Sequence, residues 1–152
     1  MIINWDQYFM GVASLSRLRS KDPNTQVGAC IVNQHKRIVG IGYNGFPMGV
    51  DDAAFPWVQD GSFLDTKYAY VVHAEANAIL NATTSLQGAS LYVNLFPCNE
   101  CAKLIIQSGI REVVYASDKY ADKEMTIASK RMFDSAGIKT RQIPEVNVSI
   151  DV

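Results

Sequence analysis

The sequence predicts an α/β domain in which a mixed five-stranded sheet carries helices on both faces. Three observations predict it. Apolar periodicity runs helix, strand, strand, helix, strand, helix, strand, helix, strand along the chain. Only residues 33–36, with Gln34-His35-Lys36 as a hairpin turn, separate the first two strands, whereas a helix separates each later pair; the later strands are therefore expected to run parallel, through right-handed crossovers. The third observation is bulk. A chain of 152 residues, 48% apolar and 19% charged, makes a single domain over residues 1–152 and buries roughly 70% of the surface it exposes when unfolded. That composition excludes a disordered, collagenous or low-complexity chain.

The elements follow in order. Asn4–Arg19 reads as a helix, with Asn4 as its N-cap and Gln7 completing a capping box. Phe9, Val12, Ala13 and Ser16 form its inner stripe, with Leu15 and Leu18 beside it. Asp22-Pro23-Asn24 is a turn signal. Val27–Val32 and Arg37–Tyr43 are the hairpin strands, and Gly40 and Gly42 in the second suggest close approach of another backbone. Asn44–Lys67 is a long loop that carries Phe46, Phe55, Trp57 and Phe63. So many aromatics predict that it packs, on the domain or on another subunit. His73–Ala82 is a helix and Ser90–Asn94 a strand. Cys98–Ser108 is a helix closed by Gly109, and Glu112–Ala116 a strand. Lys123–Ala136 is a helix closed by Gly137, with Met125, Ala128, Met132, Phe133 and Ala136 facing inward. Lys139–Gln142 is the last strand, and the tail from Pro144 is peripheral.

Charge and cysteine usage narrow the function. Lys and Arg total 14 against 15 Asp and Glu, for a net charge of −1. That balance argues against a protein that binds nucleic acid by neutralising phosphates, while leaving room for a local basic patch around one phosphate. No stretch reads as a membrane span, and the N-terminus meets Asp6 early with no basic leader. The expected location is therefore the cytoplasm, of the protein's own cell or of a host cell. Three cysteines, Cys30, Cys98 and Cys101, are too few for a disulfide-built fold, and a Cys-x-x-Cys pair in a cytosolic setting reads as metal-binding or redox-active.

Two motifs carry chemistry: His73-Ala74-Glu75 and Pro97-Cys98-Asn99-Glu100-Cys101. Each stands at the start of an expected helix. Cys98 and Cys101, three apart, put both sulfurs on one face of a first turn, where the positive helix end favours thiolate, the form zinc binds. His73 adds an imidazole nitrogen. Three protein ligands leave the fourth position of a tetrahedron for water, the mark of a catalytic rather than a structural zinc site. Glu75, two residues after the histidine, is placed to take a proton from that water and return it to a substrate. The combination of His-x-Glu with Pro-Cys-x-x-Cys is the signature of the zinc deaminases. Cys30, alone in a strand, reads as core packing, and His35, in a turn, as exposed.

At these residues the chain resembles the deoxycytidylate (dCMP) deaminases of the zinc-dependent cytidine deaminase superfamily. The resemblance spans roughly residues 5–140. It takes in Trp5 to Phe9, Arg19-Ser20-Lys21-Asp22-Pro23-Asn24, Gln26 to Cys30, Gly42-Tyr43-Asn44-Gly45 and Asp65-Thr66-Lys67-Tyr68. It continues through both motifs, from Phe96 to Leu104 and over Ser117-Asp118-Lys119-Tyr120. The resemblance implies a three-layer α/β/α fold and hydrolysis of dCMP to dUMP and ammonia. It implies zinc on His73, Cys98 and Cys101, with Glu75 shuttling protons, Asn44 on the deoxyribose and Phe96-Pro97 on the base. It further implies a homohexamer, activated by dCTP and inhibited by dTTP, with Gly42, Tyr43, Asn44 and Gly45 joining active site to effector site. Some members hold a second zinc through Cys and His in the long loop; residues 45–72 contain neither, so one zinc per chain is expected. The substrate phosphate needs a cation, for which Arg19, Lys21 and Lys119 are the candidates, with Ser20 and Tyr120 as neutral donors. The alternatives are a dual dCMP/dCTP deaminase, a cytidine or tRNA deaminase, a closed structural zinc module and a thiol redox protein.

Overall fold

The computed structural model describes residues 1–152. Helix α1 (Trp5–Arg17) precedes a hairpin, β1 (Gly28–Val32) and β2 (Ile38–Tyr43). Two short 3-10 turns, Phe63–Asp65 and Lys67–Ala69, lead to α2 (Ala74–Leu80). Then β3 (Ser90–Leu95), α3 (Asn99–Gln107), β4 (Glu112–Ser117), α4 (Glu124–Ala136) and β5 (Lys139–Gln142) alternate. The strand order is β2-β1-β3-β4-β5. The β1 pairings with β2 and β3 are antiparallel, and β3-β4 and β4-β5 are parallel, so the sheet is mixed as expected.

Strand alternation sorts the core into two layers. Ala29, Ile31, Leu91, Val93 and Val113 face one way, under α2, α3 and α4. Cys30, Val32, Tyr92, Val114 and Ala116 face the other, under α1. Both crossover helices, α3 and α4, lie on one face, as two connections of the same hand advancing in one direction require. No helix is long and apolar enough to cross a membrane.

Local chemistry explains the boundaries. Asn4 Oδ1 accepts from the Gln7 N–H at 2.8 Å, and Gln7 returns the bond to the Asn4 N–H at 2.9 Å, the expected capping box. Asn33 Oδ1 accepts from the N–H groups of His35 and Arg37, which closes the hairpin. Gly137 ends α4 in the left-handed region, at φ 72°. Cys30 is wholly buried, and burial pushes its thiol up to about 12, in keeping with a packing role.

Three expectations are corrected. The buried face of α1 is Phe9, Met10, Ala13 and Ser14, while Leu15 and Leu18 are exposed. On α4 the buried residues are Thr126, Ser129 and Phe133, and Met125 is exposed. The Ser129 hydroxyl donates to the Met125 carbonyl at 3.0 Å, which lets a polar residue occupy the inner face. The tail is not wholly peripheral, because Ile143 and Val146 pack on the α1 side of the sheet.

One polar cluster ties the chain's ends together. Asp6 receives two hydrogen bonds from Arg141, at 2.7 and 2.8 Å, and one from the Tyr92 hydroxyl at 2.6 Å. The Arg141 guanidinium holds the Asp6 carboxyl down to about 2. A carboxyl lowered in the folded state stabilises it above the unfolded value near 4 and loses that contribution as pH falls toward 2. The pair is a third exposed, so solvent screens it. Asp6→Asn is expected to lose about 1 kcal/mol at pH 7, with the difference from the wild type vanishing between pH 4 and 2 in urea titrations.

Candidate active site

His73 and Cys98 are the N-cap residues of α2 and α3, both in extended backbone, and neither side chain caps its own helix. Both are thereby free to turn toward each other. Cys101 lies in the first turn of α3 and is buried. The His73 Nδ1 stands 3.5 Å from the Cys98 Sγ and 3.3 Å from the Cys101 Sγ. All three candidate ligand atoms fall within 4.8 Å of one another. Zinc bonds of about 2.3 Å to sulfur and 2.0 Å to nitrogen set tetrahedral neighbours roughly 3.6 Å apart, so the set fits the ion. The proton chemistry agrees. A hydrogen bond from Cys101, then one from His73, pushes the Cys98 thiol down to about 4. Cys101 is raised by the same partner, and His73 is raised mainly by its bond to Cys98. Three groups share protons where one cation can replace them.

Glu75 is 5% exposed. Burial pushes its carboxyl up to about 7, with His73 pulling the other way, which suits a group that takes and gives a proton near neutrality. Helix α2 holds His73 and Glu75 in place through close contact with β2. A Cβ on Gly42 would overlap the Ala74 carbonyl oxygen and the Ala78 nitrogen, and one on Gly40 the Ala78 carbonyl oxygen. The close backbone approach expected at these two glycines is thus the seat of the helix. Asn77 Nδ2 also donates to the Tyr43 carbonyl at 2.8 Å.

A cavity of about 380 Å³ opens over the cluster, within the range of small-molecule sites. His73, Glu75, Cys98, Phe96 and Asn44 line it. Phe96 is fixed edge-on against Tyr115, with ring centroids 4.7 Å apart, and beneath the Lys130 ammonium. Of the phosphate candidates only Tyr120 lines the cavity. Arg19, Lys21 and Lys119 do not; Lys21 pairs with Asp52 at 2.5 Å, and Lys119 lies over the Tyr120 ring. Ser20 is buried and donates to the Asn44 carbonyl at 2.9 Å. Pro97 is wholly buried behind the wall. Gly45 forms a two-bond bridge with Val72, at 3.0 and 2.7 Å.

The sequence reading passed over Asp22, Lys67 and Lys123, which also line the cavity. Asp22 and Lys67 form a buried ion pair, Nζ to Oδ2 at 2.6 Å, with side chains 1% and 7% exposed. The long loop packs through Phe46 on Trp57, with centroids 4.1 Å apart, and Phe55 on Tyr70 at 4.9 Å. Phe63, by contrast, is 67% exposed.

Residues 3–117 match the family described as the cytidine and deoxycytidylate deaminase zinc-binding region. The chain belongs to this family. Among curated proteins, the deaminase is similar to deoxycytidylate deaminase of Homo sapiens. The two are 57% identical over 142 residues, covering 92% of this chain and 80% of the human one. It is 58% identical to the probable deoxycytidylate deaminase of Drosophila melanogaster over 151 residues, 94% and 74% of the two chains. Among solved structures, the dCMP deaminase of cyanophage S-TIM5 in complex with dCMP and dUMP shares the fold. Its TM-score is 0.75 at 24% identity, over 94% of this deaminase and 99% of that chain. The three-layer fold expected from the resemblance is therefore the family's own.

Proposed function

We propose that this deaminase hydrolyses dCMP to dUMP and ammonia. The observation that carries the reading is three candidate metal-ligand atoms within 4.8 Å of one another, two of them on residues that line a cavity which a buried carboxyl also lines. The identity to deoxycytidylate deaminases supports the choice of substrate. His73, Cys98 and Cys101 would hold one zinc, which supplies a Lewis acid that makes water nucleophilic near neutral pH. Glu75 holds and moves the proton, first from the water and then toward the ring nitrogen and the leaving amine. Phe96, locked by Tyr115 and Lys130, offers its ring to the base. Asn44 meets the sugar. Tyr120 and Lys123, both lining the cavity, are the nearest donors for the phosphate, and no acidic side chain pairs with Lys123 within 4 Å.

A closed structural site would bring a fourth protein ligand to the cluster, which contains three residues. The proposal extends to a cytoplasmic homohexamer that dCTP activates and dTTP inhibits, with the Gly42-Tyr43-Asn44-Gly45 segment between effector and cavity. That segment contacts α2 through Tyr43 and pairs with Val72 through Gly45.

A substrate panel tests the reading. Purified protein should contain one zinc per chain and release ammonia fastest from dCMP, ahead of CMP, deoxycytidine, dCTP and a tRNA anticodon stem. Chelation should abolish turnover and zinc restore it. Addition of dCTP and dTTP should raise and lower the rate. Faster release from another member of the panel reassigns the substrate, and a metal-free active enzyme overturns the reading.

A further inference from the structure

The turn between β4 and α4 carries Tyr120 into the cavity wall. Its backbone bonds stay local: the Ala121 N–H donates to the Asp118 carbonyl and the Lys123 N–H to the Tyr120 carbonyl, both at 3.0 Å. Residues 118–122 make no backbone hydrogen bond to any residue outside 118–123. The Lys119 N–H meets the adjacent Ser117 hydroxyl at 3.4 Å, and the Lys119 ammonium lies over the Tyr120 ring. One side-chain bond ties the turn to the body of α4, from the Lys130 ammonium to Asp118 Oδ2 at 2.6 Å.

The second Asp118 oxygen makes that bond decisive. Oδ1 is buried and has no hydrogen-bond partner, so Lys130 is the single donor to this carboxylate. A buried acceptor without a donor is destabilising, and more so when it carries charge. Without the ammonium neither oxygen is paired. The carboxylate then gains by swinging out to water, and the turn that begins at Asp118 moves with it. The ammonium is seated from its other side as well. It stands 5.1 Å from the centroid of the Phe96 ring, within cation–π range. That ring is packed edge-on against Tyr115 and Phe133, with centroids 4.7 and 5.9 Å away, so it has supports besides the ammonium. The contacts thus run from a ring fixed in the core, through one cation, to a surface turn.

We propose that Lys130 and Asp118 are positioning residues that hold the turn so that the Tyr120 hydroxyl meets the substrate phosphate, at a set distance from the base wall at Phe96. The inference rests on the proposed dCMP chemistry, with Tyr120 as a phosphate donor. A pair that served stability alone would change turnover of substrates with and without a phosphate by the same factor. So would a Lys130 that acted only on the Phe96 ring. A Lys130 that touched the phosphate itself would act without Asp118.

The test is the ratio of kcat/KM for dCMP to kcat/KM for deoxycytidine, on zinc-loaded enzyme. Both substrates are measured on one preparation, so incomplete folding or metal loading of a variant cancels. Tyr120→Phe should lower the wild-type ratio about tenfold, the loss of one hydrogen bond to a charged group. Lys130→Met should lower it at least about fivefold, mainly by raising KM for dCMP. Lys130→Arg should bring it back to within about twofold, because a guanidinium can hold the carboxylate and face the ring together. Asp118→Ala cuts the tie without stranding a charge and should also lower the ratio at least about fivefold. In the Lys130→Met background Tyr120→Phe should lower it by no more than about threefold further, since the hydroxyl is already displaced. A smaller fall in either Lys130→Met or Asp118→Ala, or the full effect of Tyr120→Phe in the Lys130→Met background, overturns the positioning role and leaves dCMP deamination intact. A ratio that Tyr120→Phe does not move in the wild type removes Tyr120 as the phosphate donor, and the inference with it. A wild type that releases no ammonia from dCMP overturns the proposed function itself.

Discussion

Glu75→Gln is expected to lower turnover on dCMP by about 10²–10⁴-fold while leaving one zinc per chain. The substitution keeps the shape of a side chain that is 5% exposed and removes its ability to take up a proton. Ligand atoms are untouched, because the candidate set is His73, Cys98 and Cys101. A thousandfold loss corresponds to about 4 kcal/mol of transition-state stabilisation. The loss should fall on kcat rather than on KM, because proton transfer belongs to the reaction and not to binding. Ammonia release and metal content measured on one preparation separate the two roles. Turnover within tenfold of the wild type would exclude Glu75 as the proton carrier, and loss of zinc would make it a metal ligand instead.

The second large effect comes from a methyl group. Gly42→Ala places a Cβ against the backbone of α2, at Ala74, Asn77 and Ala78. No rotamer relieves that contact, since the obstacles are main-chain atoms. Either α2 moves off the sheet or the hairpin does, at a cost of about 1–3 kcal/mol or more. Moving α2 carries His73 and Glu75 away from Cys98 and Cys101, which sit on α3 and its cap. Zinc affinity and activity should therefore fall together with the urea midpoint. Gly11→Ala is the contrast. Its Cβ would meet only Val146 Cγ1, at 3.7 Å, within α1, so it should raise stability by about 0.5–1 kcal/mol. A Gly42→Ala protein with full zinc content and normal turnover would show that the contact yields.

Much of this architecture was legible because the signals were local. Alternation in β1, β3 and β4, the Asn4–Gln7 box and the two motifs at helix starts all act within a few residues. Inner-face residues were harder to read where polarity misled. Thr126 and Ser129 occupy the inner face of α4 because a Ser hydroxyl can bond back to its own helix, while Met125 is left outside; a reading by hydrophobicity ranks them in reverse. Leu15 and Leu18 are exposed in this single chain for a similar reason, since a leucine on a helix need not face the core. The least legible feature was the Asp22–Lys67 pair. Its partners are 45 positions apart, and charged residues belong to the surface until a fold buries them together. Lys123 was read as the start of a helix, and only the geometry sets it beside the cavity.

The long segment after β2 begins at Asn44 and ends at Lys67, and both of those residues reach the same Asp22 carboxylate oxygen. Residues 45–66 therefore close into a ring at one carboxylate, with the Lys21–Asp52 pair and the Gly45–Val72 bridge as further ties. Ring size is thermodynamically cheap: doubling such a closed stretch costs only about 0.6 kcal/mol in chain entropy. A change in the length of that ring is therefore a small entropic cost, and the Asp22 carboxylate at its base keeps the two ends together whatever lies between them.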